Sequence, residues 1–200
     1  KAVLSFLSGY YKLESAPQEV DSALYEFDRA VKDKEVLLGV ATTDFRPMVE
    51  QGKWSQRYFG DNMYDLLLRQ SIFQLLWNGR GSKAVQLAVF DKYEKLIAQY
   101  EAVGNRDAEL LTRLERLMYW QRNGWRYPQQ LSDEQVLEQL QAWAKAYDGV
   151  DACAALYVSW ADFYHQKQDF VSEMKVIEEG IKRSPSSVFT ADLKDKQRIV

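Results

Sequence analysis

Two hundred residues with 28% charged side chains, a formal net charge of −3 and a pI near 5.4 suit one globular domain or an array of small repeats. They offer nucleic acid no basic stripe. Ten glycines and four prolines are too few for an all-β fold with many tight turns. No apolar run approaches the ~18 residues of a membrane span, and a lone Cys153 excludes an internal disulfide.

Apolar residues recur at helical spacing along nearly the whole chain, and sustained alternation is rare. "LSFLSGYYKL" predicts a short helix, interrupted at Gly9 and closed before Pro17. "EVDSALYEFDRAVKDKEVLLGVA" predicts one or two helices with a break near Asp33. A connector of about fifteen residues follows, long for a compact helical domain. Asp61 is the expected cap for a helix through Leu66, Ile72 and Leu76, stopped at "NGRG". Ser82 starts the next helix, which ends at Gly104, and Asp107 opens another that ends at Asn123–Gly124. Ser132 and Gln135 form a capping box ahead of Val136, Leu140 and Trp143. "YDGVDACAALYVSWADFYHQ" and "DFVSEMKVIEEGIKRSP" form the last clear pair, and "SSVFTADLKDKQRIV" a short helix beyond it.

The expected fold is all-α: antiparallel helical hairpins stacked as an irregular tetratricopeptide-like solenoid or bundle. The last pair carries the repeat most clearly. Ala161 and Gly180 sit where helices must approach closely, Tyr164 and Phe170 supply the aromatic positions, and Pro185 ends the unit. Glu173 departs from the pattern, which prefers Ala there. The helical domain is expected over 1–185, with a candidate sub-boundary at 43–60, and 186–200 as a short helix and linker toward a following domain.

Chemistry finds little purchase. The only histidine, His165, stands at a helix end and reads as a solvated or capping side chain. One Cys and one His cannot make a zinc set, and Cys153 reads as a small packing residue. "GRGSK", Gly79 to Lys83, lacks phosphate-loop spacing and reads as a helix stop followed by a Ser82 cap. The paired carboxylates Asp61 and Asp65, Glu178 and Glu179, Asp192 and Asp195 are expected on solvated helix faces. No catalytic, cofactor-binding or metal-binding residue is assigned. Trp54, Arg57, Tyr58 and Phe59 cluster rings with a cation and form a candidate interaction surface; the alternative is that they staple the connector to the helices it crosses.

Two segments carry a resemblance. "FRPMVEQGKWSQRYFGDNMYDLLLRQSI" and "YHQKQDFVSEMKVIEEGIKRSPSSVFTADLKDKQRIV" are similar to the N-terminal helical region of alpha-2-macroglobulin-like proteins of Bacteroidetes-type bacteria. There a "G-K-x-S-R-Y-F" element leads into a helix headed by Asp, and a "P-x-S" turn precedes the first β-domain. The resemblance implies the helical part of a longer, exported protease-trap protein, periplasmic or at the cell surface; a cytoplasmic location is the alternative. The family's thioester pairs Cys with a following Glu-Gln, whereas Cys153 sits in "DACAAL", so no thioester residue carries over. The implied role is a non-catalytic scaffold whose partners are following domains of the same polypeptide or a protein or peptide ligand. The alternatives are a free-standing tetratricopeptide-like adaptor and a helical enzyme acting on a glycan or lipid.

Overall fold

A computed structural model describes residues 1–16, 20–41, 60, 62–79, 82–123 and 131–199, without the side chains of 120, 122 and 123. Among the described residues there are ten helices and no strand, so the chain is all-α. Two compact units divide after Tyr100. The expected interaction cluster, Trp54, Arg57, Tyr58 and Phe59, lies outside the described residues, as does the candidate sub-boundary at 43–60 apart from Gly60.

In the first unit, α1 (Ala2–Ser15) and α2 (Val20–Ala30) form a hairpin. The expected interruption at Gly9 does not occur: α1 runs straight through it. Gly9 is instead a contact point, because a Cβ there would stand 2.9 Å from the Phe27 ring and 3.1 Å from the Ala23 carbonyl oxygen. Helix α3 (Lys34–Leu38) begins after Asp33, where the sequence predicts a break. Helix α4 (Met63–Asn78) packs against α1, α2 and α3. Its cap is Asn62 rather than Asp61: Asn62 has extended backbone, and its Oδ1 accepts the Asp65 N–H at 2.9 Å. Helix α5 (Lys83–Val103) begins with Ser82 Oγ accepting the Val85 N–H, as the sequence predicts. Lys92 on α5 is 1% exposed and reaches Asp28 on α2 at 2.7 Å.

The second unit holds α6 (Arg106–Asn123), α7 (Asp133–Ala146), α8 (Cys153–Gln166), α9 (Phe170–Arg183) and α10 (Thr190–Gln197). Gly104, with φ +68°, takes the left-handed conformation that ends α5. Asn105, not Asp107, caps α6 by accepting the Ala108 N–H at 3.1 Å. Asp107 is occupied elsewhere, accepting the Ala152 N–H at 2.7 Å ahead of α8. The Ser132–Gln135 capping box forms on α7 with both hydrogen bonds in place. Helices α6, α7, α9 and α10 each pack on α8. Leu110, Leu140, Leu156, Ile177 and Leu193, all at most 1% exposed, fill the space between them.

Candidate functional site

Burial of charge is where an all-α chain departs from simple packing, and among the described residues four acids are buried: Glu26, which meets Lys12 on α1 at 3.2 Å, Asp65, Glu109 and Glu173. Asp65, expected on a solvated face, is 1% exposed. Helix α4 is apolar nearly all round, with Met63, Tyr64, Leu66, Leu67 and Leu68 also buried, so its first turn has no wet side. Asp65 survives there because three donors meet its carboxylate: the Gly60 N–H at 2.8 Å, Arg69 Nε at 3.1 Å and the Tyr100 hydroxyl. Arg69 also donates to the Tyr100 oxygen at 3.1 and 3.2 Å and lies over its ring. Burial pushes the Asp65 carboxyl above its ordinary value, against the pull of Arg69, Tyr100 and Gly60. Burial also raises the Tyr100 hydroxyl, which stays a donor.

The second unit repeats this clasp. Tyr147, just past α7, donates its hydroxyl to Glu109 on α6, and Arg113 Nε lies 3.0 Å from both the Glu109 carboxylate and the Tyr147 oxygen. Burial, reinforced by the Glu109 hydrogen bond, pushes the Tyr147 hydroxyl up to about 12. In both places a carboxylate on one helix and an Arg four residues later meet a Tyr at or just past the end of the next helix, and so tie the two helices together. The matching signal in the sequence is Asp65-Leu-Leu-Leu-Arg69 against Glu109-Leu-Leu-Thr-Arg113.

The α8–α9 hairpin is fastened at its turn. Glu173, the residue that departs from the repeat pattern, is 1% exposed and holds His165 Nδ1 at 3.0 Å; the His165 ring meets Phe170 edge-on. The lone histidine is solvated, as expected, its side chain 53% exposed, and its Nδ1 also partners the buried Glu173 carboxylate. Cys153 is buried, and burial first, then Asp148, pushes its thiol up to about 11. Glu178, Asp192 and Asp195 lie exposed, as expected. Among the described residues, no group of three His, Cys, Asp or Glu is placed to hold a metal ion, and no helix is long and apolar enough to cross a membrane.

A cleft of about 340 Å³ opens where α7 and α9 flank α8. Its floor is Tyr157 and Trp160, stacked with ring centroids 5.9 Å apart, together with Ala144 and Val176. Gly180 positions this floor: a Cβ there would lie 2.6 Å from Tyr157 Cβ, so only glycine lets α9 settle against α8 at that point. Lys145, Lys175 and Arg183 stand around it with Gln141 and one acid, Glu179. Arg183 is engaged by Glu179 and by Asp148 at 3.2 Å. Glu179 accordingly sits below the usual carboxylate range, held there by the Arg183 hydrogen bond. The Trp160 Nε1–H is shielded from solvent and has no hydrogen-bond acceptor among the described residues. A second hollow of about 800 Å³ lies among α1, α2 and α3, but Lys1, Arg29 and Lys32 mix with Asp28 and Asp33 on its rim, so its charge has no single sign.

No protein-family model, curated protein or solved structure matches the chain.

Proposed function

We propose that these residues form a non-catalytic helical interaction and scaffold module, its hairpins arranged in tetratricopeptide-like fashion. The observation that carries this reading is the fate of the buried acids. Asp65, Glu109 and Glu173 are each committed to hydrogen bonds that fasten one helix to the next. A general acid or base needs a carboxylate free to exchange its proton with a substrate. The concave surface in the second unit instead offers rings flanked by cations, the composition of a recognition surface rather than of an acid–base pair.

The resemblance to alpha-2-macroglobulin-like proteins supports a position at the N-terminal side of a larger envelope protein, where the module would orient the β-domains that follow or present its surface to a partner. An adaptor acting alone on a peptide or protein is the second reading, and the aromatic cleft favours it. One experiment separates them: the complete reading frame. β-Rich domains encoded beyond Val200 support the macroglobulin placement, and a natural end near that residue removes it. Turnover of a glycan or lipid by the isolated chain would overturn the non-catalytic reading under either placement.

A further inference from the structure

We infer that the α7–α8–α9 cleft takes an acidic peptide segment, with an apolar side chain on the Tyr157–Trp160 floor and a carboxylate between Lys145 and Lys175. The inference rests on the interaction-module reading and names the partner chemistry of that surface.

Charge selects the ligand's sign. The chain carries a net −3, yet the cleft gathers Lys145, Lys175 and Arg183 against the single acid Glu179. Arg183 already satisfies Glu179 and Asp148, and its guanidinium is held above its ordinary value by Glu179, so that arginine braces the wall. Lys145 and Lys175 are exposed, and they supply the charge left for a ligand. Cations above an apolar floor attract a carboxylate on approach and fix its register.

The indole adds a demand for an acceptor. A shielded Trp160 N–H without one leaves a hydrogen bond unmade, which natural interiors rarely tolerate. A peptide brings both carboxylate and carbonyl oxygens, so a small shift of the ring on binding gives that donor its partner. A basic peptide meets repulsion from two lysines, and a purely apolar one leaves the cations without a counter-charge. The partly exposed Trp160 ring, stacked on the buried Tyr157, presents an apolar surface of the kind a leucine or aromatic side chain covers.

The test uses the whole 200-residue chain with short fluorescein-labelled peptides alternating Leu with Glu, with Gln or with Lys. Binding is followed by polarisation at two salt concentrations and by the indole N–H resonance assigned through Trp160→Phe. The inference expects the Glu peptide to bind, the Trp160 resonance to move, and added salt to weaken the complex. Lys145→Glu with Lys175→Glu should cut affinity by about tenfold or more. Lys194→Glu, a single charge reversal on α10 outside the cleft and so half the charge change of the pair, should change it less than about twofold. Helicity by circular dichroism shows that each variant is folded. Equal binding of all three peptides, a motionless Trp160 resonance, or insensitivity to the double reversal overturns the inference. If the Lys or Gln peptide binds with Trp160 unmoved, the cleft assignment falls while the interaction-module reading stands. Substrate turnover by the same preparation would remove that reading separately.

Discussion

Tyr100→Phe is the most informative single change, because it deletes one oxygen and leaves the ring that fills the space. The lost hydroxyl is one of three donors to a carboxylate that is 1% exposed. A hydrogen bond to a charged group contributes roughly 1.5–3 kcal/mol, and the phenyl ring creates no cavity, so the expected loss is about 2 kcal/mol. For a unit of this size that lowers the melting temperature by roughly 8–16 °C. The assay is urea unfolding followed by circular dichroism, fitted for the transition that carries the first unit. Tyr147→Phe should cost less, about 1 kcal/mol, because Glu109 is 9% exposed and water reaches it more easily. A double-mutant cycle of Tyr100→Phe with Asp65→Asn should show coupling above roughly 0.5 kcal/mol. A loss below roughly 0.5 kcal/mol for Tyr100→Phe, or strict additivity in the cycle, would refute the clasp.

Other changes probe the remaining contacts. Gly180→Ala should destabilise by roughly 1–3 kcal/mol despite the better helix propensity of alanine, because its Cβ meets Tyr157 and the Leu193 methyl; thermal denaturation reads this. His165→Ala removes the partner of a buried carboxylate, but His165 is 53% exposed and water can take its place, so thermal denaturation should show a loss of about 1 kcal/mol or less. Burial holds the Lys92 amine below its ordinary 10.5. The folded chain therefore binds fewer protons at that site than the unfolded one, and stability rises with pH between the lowered value and 10.5. Lys92→Met should raise stability at neutral pH and remove that rise, since Asp28, 58% exposed, is left to water. Cys153 should resist iodoacetamide in the native chain and react readily in urea, as a buried thiol with a raised pKa must.

Helices with a strong apolar stripe or a local cap are legible in the sequence. The Ser132 capping box, the Ser82 start and the Gly104 stop depend on residues within one turn of each other, and local chemistry decides them. Expected and observed caps diverge where two polar residues compete, as with Asp61 beside Asn62 and Asp107 beside Asn105. Which one caps depends on which takes the non-helical backbone, and composition does not encode that. Charge alone puts Asp65 in solvent, although the apolar residues on every side of α4 argue otherwise. The repeated carboxylate–Leu–Leu–x–Arg pentads are a sequence signal for the clasps, but their tyrosines come 35 and 38 residues after the carboxylates. His165 and Glu173 are linked only once the turn between them is built. The cleft draws on three helices, so no window of sequence displays it.

Buried acids fasten the helices of this chain, and the proposed recognition cleft draws on other residues. Asp65→Asn and Glu109→Gln, made singly in the whole chain and tested for both unfolding midpoint and Glu–Leu peptide binding, separate those two roles. A lower midpoint for each variant, with peptide affinity retained, is the expected result. An unchanged midpoint, or binding abolished in a chain that remains fully helical, would mean that these carboxylates are not the fasteners.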